Sequence, residues 1–103
     1  MNIDHESSMF VGVAKVELFF AHFHSLKDKR QALRKIKDKL FAKYKVSVHE
    51  VMHHEKWQRT QLGFAVVSNE GGNVHTVIDH MLTDIDLMGV GDRVDQIIEV
   101  FTF

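Results

Sequence analysis

The stretch LKDKRQALRKIKDKL, residues 26–40, offers cationic chemistry. Lys27, Lys29, Arg30, Arg34 and Lys37 are ammonium and guanidinium groups, and on a helix Lys27, Arg30, Arg34 and Lys37 share a limited arc. Cations so gathered neutralise phosphates and release condensed counterions, which is the electrostatic footprint of a nucleic-acid binder. The same pattern also describes a solvated helix surface beside a more acidic remainder of the molecule. Farther along, Trp57 and Arg59 in the run HHEKWQR set a flat aromatic beside a guanidinium. That pair suits stacking on an unpaired base next to a phosphate. Closing the end of a small core, or packing in a contact between chains, is the structural alternative for the tryptophan.

The histidines form a third group. His22-x-His24 and His53-His54-Glu55 supply imidazole nitrogens and a carboxylate. Zinc or nickel would need three or four such ligands at about 2 Å. Neither spacing is a metal signature, so these residues also read as surface groups bonded to loop backbone. The chain has no cysteine, which removes disulfides and thiolate nucleophiles. It has no G-x-S-x-G, no P-loop and no glycine-rich dinucleotide turn, and no motif places a pair of carboxylates for acid–base work. The expectation is a protein without catalytic residues and without a resident cofactor.

These groups must be held by secondary structure, and the apolar periodicity says which. Residues 9–20 alternate as a strand, with Gly12, Ala14, Val16 and Leu18 on one face and Val11, Val13, Lys15, Glu17 and Phe19 on the other. Ser25 reads as an N-cap, with Asp28 three residues on, near the positive end of the helix dipole. Leu26, Leu33, Ile36, Leu40 and Tyr44 then mark a long amphipathic helix over 26–44. Strands follow at 45–52 and 61–68, joined by a polar hairpin loop at 53–60. NEGG at 69–72 is a turn, and Val74, Val77, Ile78, Met81, Leu82 and Ile85 mark a second helix. Residues 89–92 break it, and 93–103 form the last strand. Gly12 and Gly63, isolated within strands, predict close approach of a helix to the sheet.

The length, 103 residues, suits one domain, here 9–103 behind a disordered tail at 1–8. The net charge of −1 conceals a division. Residues 27–45 hold nine of the thirteen basic groups and two of the fourteen acids, so this segment carries +7 and the rest −8. Charge separated in this way sets up a local field even when the total is near zero. The first residues lack the basic and apolar regions of a signal peptide, and no apolar run is long enough to span a bilayer. A cytoplasmic setting without membrane association is therefore expected.

The order β-α-β-β-α-β predicts an α+β, ferredoxin-like sandwich: a four-stranded antiparallel sheet with both helices on one face. That topology brings His22, His24, Lys27, His53, His54, Glu55, Trp57, Arg59 and Asp92 to one rim. It also leaves the other sheet face open, with apolar residues among its charges. A homodimer through that face or through an edge strand is expected.

The segment VGVAKVELFFAHFHSLKDKRQALRKIKDKL, then YKVSVHEV, HHEKWQR and LGFAVVSN, resembles the small bacterial YlxP-like family, a domain of unknown function. The resemblance runs from Val11 over almost the whole chain, and HSLKDKR and WQR followed by LGFAVVSN are its most specific parts. It implies the ferredoxin-like fold. Family genes often lie among those for translation initiation and ribosome maturation, which implies a link to RNA or the ribosome. The expected function is an accessory protein that binds RNA or a ribosomal subunit. Lys27, Lys29, Arg30, Arg34 and Lys37 would contact phosphates, and Trp57 and Arg59 a nucleotide or ribosomal protein. A metal- or small-ligand-binding domain at the histidine-rich rim and a protein–protein adaptor are the competing readings.

Overall fold

A computed structural model of the chain describes Ile3 and residues 7–103. The tail expected at 1–8 lies largely outside the described residues. The elements run β1 (Phe10–Phe19), α1 (Leu26–Tyr44), β2 (His49–Met52), β3 (Arg59–Ser68), α2 (Gly71–Met88) and β4 (Asp92–Thr102). All strands join one antiparallel sheet in the order β2-β3-β1-β4. The fold is the ferredoxin-like α+β sandwich.

Local chemistry sets the ends of α1. The Ser25 hydroxyl accepts the Asp28 N–H at 3.1 Å, and the Asp28 carboxylate accepts the His24 N–H at 3.1 Å. Two otherwise orphaned donors are thereby satisfied. At the other end Lys45 turns left-handed, with φ at 57°, and its N–H reaches the Phe41 carbonyl at 2.9 Å. This is why the strand expected from residue 45 begins only at His49: Lys45 closes the helix, and a short irregular segment follows. The strand expected from residue 61 begins earlier, at Arg59, because Arg59 and Thr60 already pair with Phe19 and Leu18.

Alternation sorts the sheet into two faces. Ala14, Val16 and Leu18 of β1 and Leu62, Phe64 and Val66 of β3 point into the core. Leu33, Ile36 and Leu40 of α1 and Val74, Ile78, Met81 and Ile85 of α2 meet them. Each such side chain contributes roughly 1.5–3 kcal/mol by leaving water, so packing, more than helix propensity, holds the two helices in place. Gly12 admits α2 as expected, since a Cβ there would collide with Val74 and Ile78. Gly63 does not serve a helix. A Cβ on it would meet Val51 at 3.0 Å on the face away from both helices.

Candidate nucleic-acid interface

The cations of α1 divide according to helical phase. At 100° per residue, Lys27, Arg30, Arg34 and Lys37 fall within an arc of about 80°. Lys27, Arg30 and Arg34 are exposed and Lys37 is half-buried. None of the four has an ion-pair partner among the described residues. Phe41 falls on the same arc and is 55% exposed, with the Lys45 ammonium 5.7 Å from its ring centre. This outer flank is a row of free cations ending in an exposed aromatic ring. On the opposite side of α1, Gln31, Ala32 and Lys35 line a cleft shared with the end of α2 and the start of β4.

Lys29 departs from the expectation that it contacts phosphate. It lies in phase with Leu33, Ile36 and Leu40, and only 1% of it is exposed. Its ammonium donates to the carbonyls of His53, His54 and Arg59 at 2.7, 3.2 and 3.3 Å. It also pairs with Glu50 at 2.9 Å. A buried ammonium is tolerated only when its donors are satisfied and its charge is matched, and this one has both. Burial pushes the Glu50 carboxyl upward, but the Thr60 hydroxyl at 2.6 Å and Lys29 outweigh it and hold the group below the ordinary carboxylate value. Lys29 therefore fastens the 53–59 loop to the first turns of α1. Its position among the apolar residues of the stripe was the signal that could have found it.

The loop itself is well tied. His53 adopts a left-handed backbone, φ 68°, and its carbonyl accepts the Lys56 N–H at 3.0 Å. The Gln58 carbonyl accepts the Phe20 N–H at 2.8 Å, and the Gln58 side chain donates to the carbonyls of Ala21 and Phe23. Trp57 is held on this frame with 51% of its surface in solvent. It therefore does not close the core. With Phe19, Glu55, Lys56, Gln58 and Arg59 it lines a shallow groove of about 420 Å³.

Arg59 is half committed. One guanidinium nitrogen donates to Glu17 Oε2 at 2.6 Å, and the group lies 5.7 Å from the Phe19 ring centre. His53 Nε2 lies 3.1 Å from the other oxygen of Glu17. Burial pushes Glu17 upward, yet His53 and Arg59 outweigh it and hold the carboxyl below its ordinary value. Alternation placed Glu17 on the open face, but only the register of β1 with β3 shows that it meets Arg59.

The structure gathers part of the expected rim. His53, His54, Arg59 and the 20–23 segment are linked through Lys29 and Gln58, and His22 and Asp92 line the same cleft beside α2. His24, His54 and Glu55 are exposed, while His53 is engaged with Glu17. Among the described residues, no three His, Cys, Asp or Glu side chains are placed to hold a metal ion. At the far end of the helices, Asp84 accepts from the Tyr44 hydroxyl at 2.5 Å and from Lys43 at 2.9 Å, a tie between α1 and α2 that the sequence did not reveal. The Tyr44 hydroxyl, then Lys43, hold the Asp84 carboxyl below its ordinary value.

Residues 11–96 match the model of a family described as Protein of unknown function (DUF503). The chain belongs to this family. It is 33% identical over 76 residues to the uncharacterized protein YlxP of Bacillus subtilis (strain 168), across 74% of this chain and 83% of that protein. Among solved structures it is similar to a de novo designed protein, Foldit4, at 11% identity and a TM-score of 0.49, covering 92% of this chain and 96% of the design. It is also similar to LarC2, the C-terminal domain of a cyclometallase involved in synthesis of the NPN cofactor of lactate racemase. That match has 10% identity and a TM-score of 0.49, covering 93% of this chain and 57% of the other. No helix among the described residues is long and apolar enough to cross a membrane.

Proposed function

We propose that this is a non-catalytic cytoplasmic accessory protein that binds RNA or a ribosomal particle through the outer flank of α1 and the adjoining 53–59 loop. The observation that carries the reading is the row Lys27, Arg30, Arg34 and Lys37: four cations on one flank, without an acidic partner among the described residues. A structural helix surface in a protein of net charge −1 has twelve acids elsewhere with which to pair, and this row uses none of the ten that lie among the described residues. Unpaired cations on a rigid helix retain their charge for phosphates. Lys29 serves the site by positioning, since it docks the loop that displays Trp57 and Arg59. The exposed face of Trp57 offers a stacking surface for an unpaired base, and the free side of Arg59 a donor beside it.

Sedimentation of a cell lysate through a sucrose gradient at low and moderate salt tests this reading. The protein should travel with a ribosomal subunit or another RNA-containing particle at low salt and leave it as salt rises. Replacing Arg30, Arg34 and Lys37 together by Glu should release it at both salts without unfolding it. Migration at the top of the gradient under both conditions, or unaltered association of the triple variant, overturns the proposal. Association that survives nuclease treatment would identify a protein partner instead and make the chain an adaptor.

A further inference from the structure

Among the described residues, nothing covers the sheet face turned away from the helices. Three rows of side chains cross it, read from the strand register. Phe101, Val11 and Val67 form an apolar row at one end. Glu99, Val13 and Ala65 come next, then Ile97, Lys15 and Gly63. Val67 and Ile97 are each 58% exposed, Phe101 49% and Val51 46%. Because Gly63 has no side chain, the middle of the face sinks into a depression of about 400 Å³ walled by Val13, Val51 and Ile97, with Lys15 and Glu99 at its margin.

We propose that this open face is the interface of a homodimer, each copy covering the other. Area supports it. Strands of ten or eleven residues give a face roughly 34 Å long and about 15–19 Å across. Its projection, about 500–650 Å² before side-chain relief, approaches the ~800 Å² per partner of a standard stable interface. Charge separates a second copy from other occupants. The face carries Lys15 and Arg59 against Glu17, Asp95 and Glu99, a slight negative excess that disfavours nucleic acid and anionic lipid. Neither the Lys15 nor the Glu99 side chain has an ion pair or hydrogen bond among the described residues. A twofold axis running across the strands near Val13 and Lys15 brings Lys15 of one copy within reach of Glu99 of the other, and the symmetry repeats the contact. The same rotation sets the Val13 and Ala65 row of one copy over the Lys15 and Gly63 row of the other, so that Ala65 covers the depression at Gly63. The outer flank of α1 lies on the side away from this face, so the dimer test does not depend on the RNA reading, although Arg59 borders both surfaces.

Sedimentation velocity on the purified full chain, from micromolar to about 200 µM, tests it. The expected mass is twice 11.9 kDa. Ile97→Asp and Val67→Asp should each give a monomer with an unchanged far-UV circular dichroism spectrum, since both positions are exposed. Lys15→Glu and Glu99→Lys should each weaken dimerisation at least tenfold, and the double variant should recover to within about threefold of the parent. A parent chain that remains at 11.9 kDa across the range overturns the proposal. So does a dimer indifferent to both aspartate variants, which would lie on another surface such as the free edge of β4. Failure of the charge swap to recover the dimer overturns the proposed orientation of the two copies.

Discussion

The two sides of α1 carry the same kind of residue and use it in opposite ways. Lys27 and Lys29 are two positions apart. Lys27 is exposed and has no ion-pair partner among the described residues, whereas Lys29 is enclosed, with three carbonyls and a carboxylate around its ammonium. A step of two residues turns the helix by about 200°, enough to move a side chain from solvent to the core stripe. The inner lysine holds the loop in place; the outer cations hold little and remain free to act. The contrast shows that charge content alone does not define a binding surface, because one of the five cations expected to face a ligand is part of the framework.

The sharpest test of this contrast is Lys29→Met. It strands Glu50 and three loop carbonyls in a poorly hydrated place, which should cost about 3 kcal/mol, the scale of a broken buried pair. In a domain of this size the melting temperature should fall by at least about 12 °C. Thermal unfolding followed by circular dichroism measures it. Adding Glu50→Leu should restore part of the loss, because both charges are then gone. A change under about 1 kcal/mol would erase the difference between the two sides.

Acid should act on the ties and spare the outer flank. Glu17, Glu50 and Asp84 all lie below their ordinary values of 4.5, 4.5 and 3.8 in the folded chain. The unfolded chain therefore takes up protons first as pH falls. The stability these carboxylates contribute is fully present above those ordinary values and is lost as pH drops through the depressed folded ones. Denaturant midpoints measured between about pH 6 and 3 should fall with pH, and Glu50→Gln should flatten that slope.

A smaller effect belongs to the far end of the helices. Tyr44→Phe removes the hydroxyl that donates to Asp84 and should lower the melting temperature by about 3–5 °C. The smallest change in stability should come from the outer flank. Arg30→Ala, Arg34→Ala and Lys37→Ala together should move the melting temperature by no more than about 2 °C, since exposed substitutions are usually nearly neutral. The same triple variant should lose particle association in the gradient. A large destabilisation would make those residues structural and remove the contrast.

Much of the fold was legible because its signals are local. The bounds of α1 follow from Ser25, Asp28 and the apolar stripe, all within one segment, and the structure reproduces them. Alternation in β1 sorted its residues correctly between core and open face. The start of β2 was misplaced because a left-handed Lys45 has no glycine or asparagine to announce it. Gly63 was assigned to the wrong face because an isolated strand glycine does not reveal which neighbour approaches it.

Sequence by itself determined the element order, the hydrophobic faces, the capped start of α1 and the segregation of positive charge into residues 27–45. These follow from backbone periodicity and hydrogen-bonding needs that act over a few residues. Tertiary structure alone decided that Lys29 is a buried tie, that Arg59 already shares Glu17 with His53, and that Tyr44 and Lys43 meet Asp84 some forty residues away. The reason is the range of the interactions. Whether a charge is free or spent depends on the groups that the chain's return brings within about 3 Å, and neither composition nor spacing encodes that neighbour.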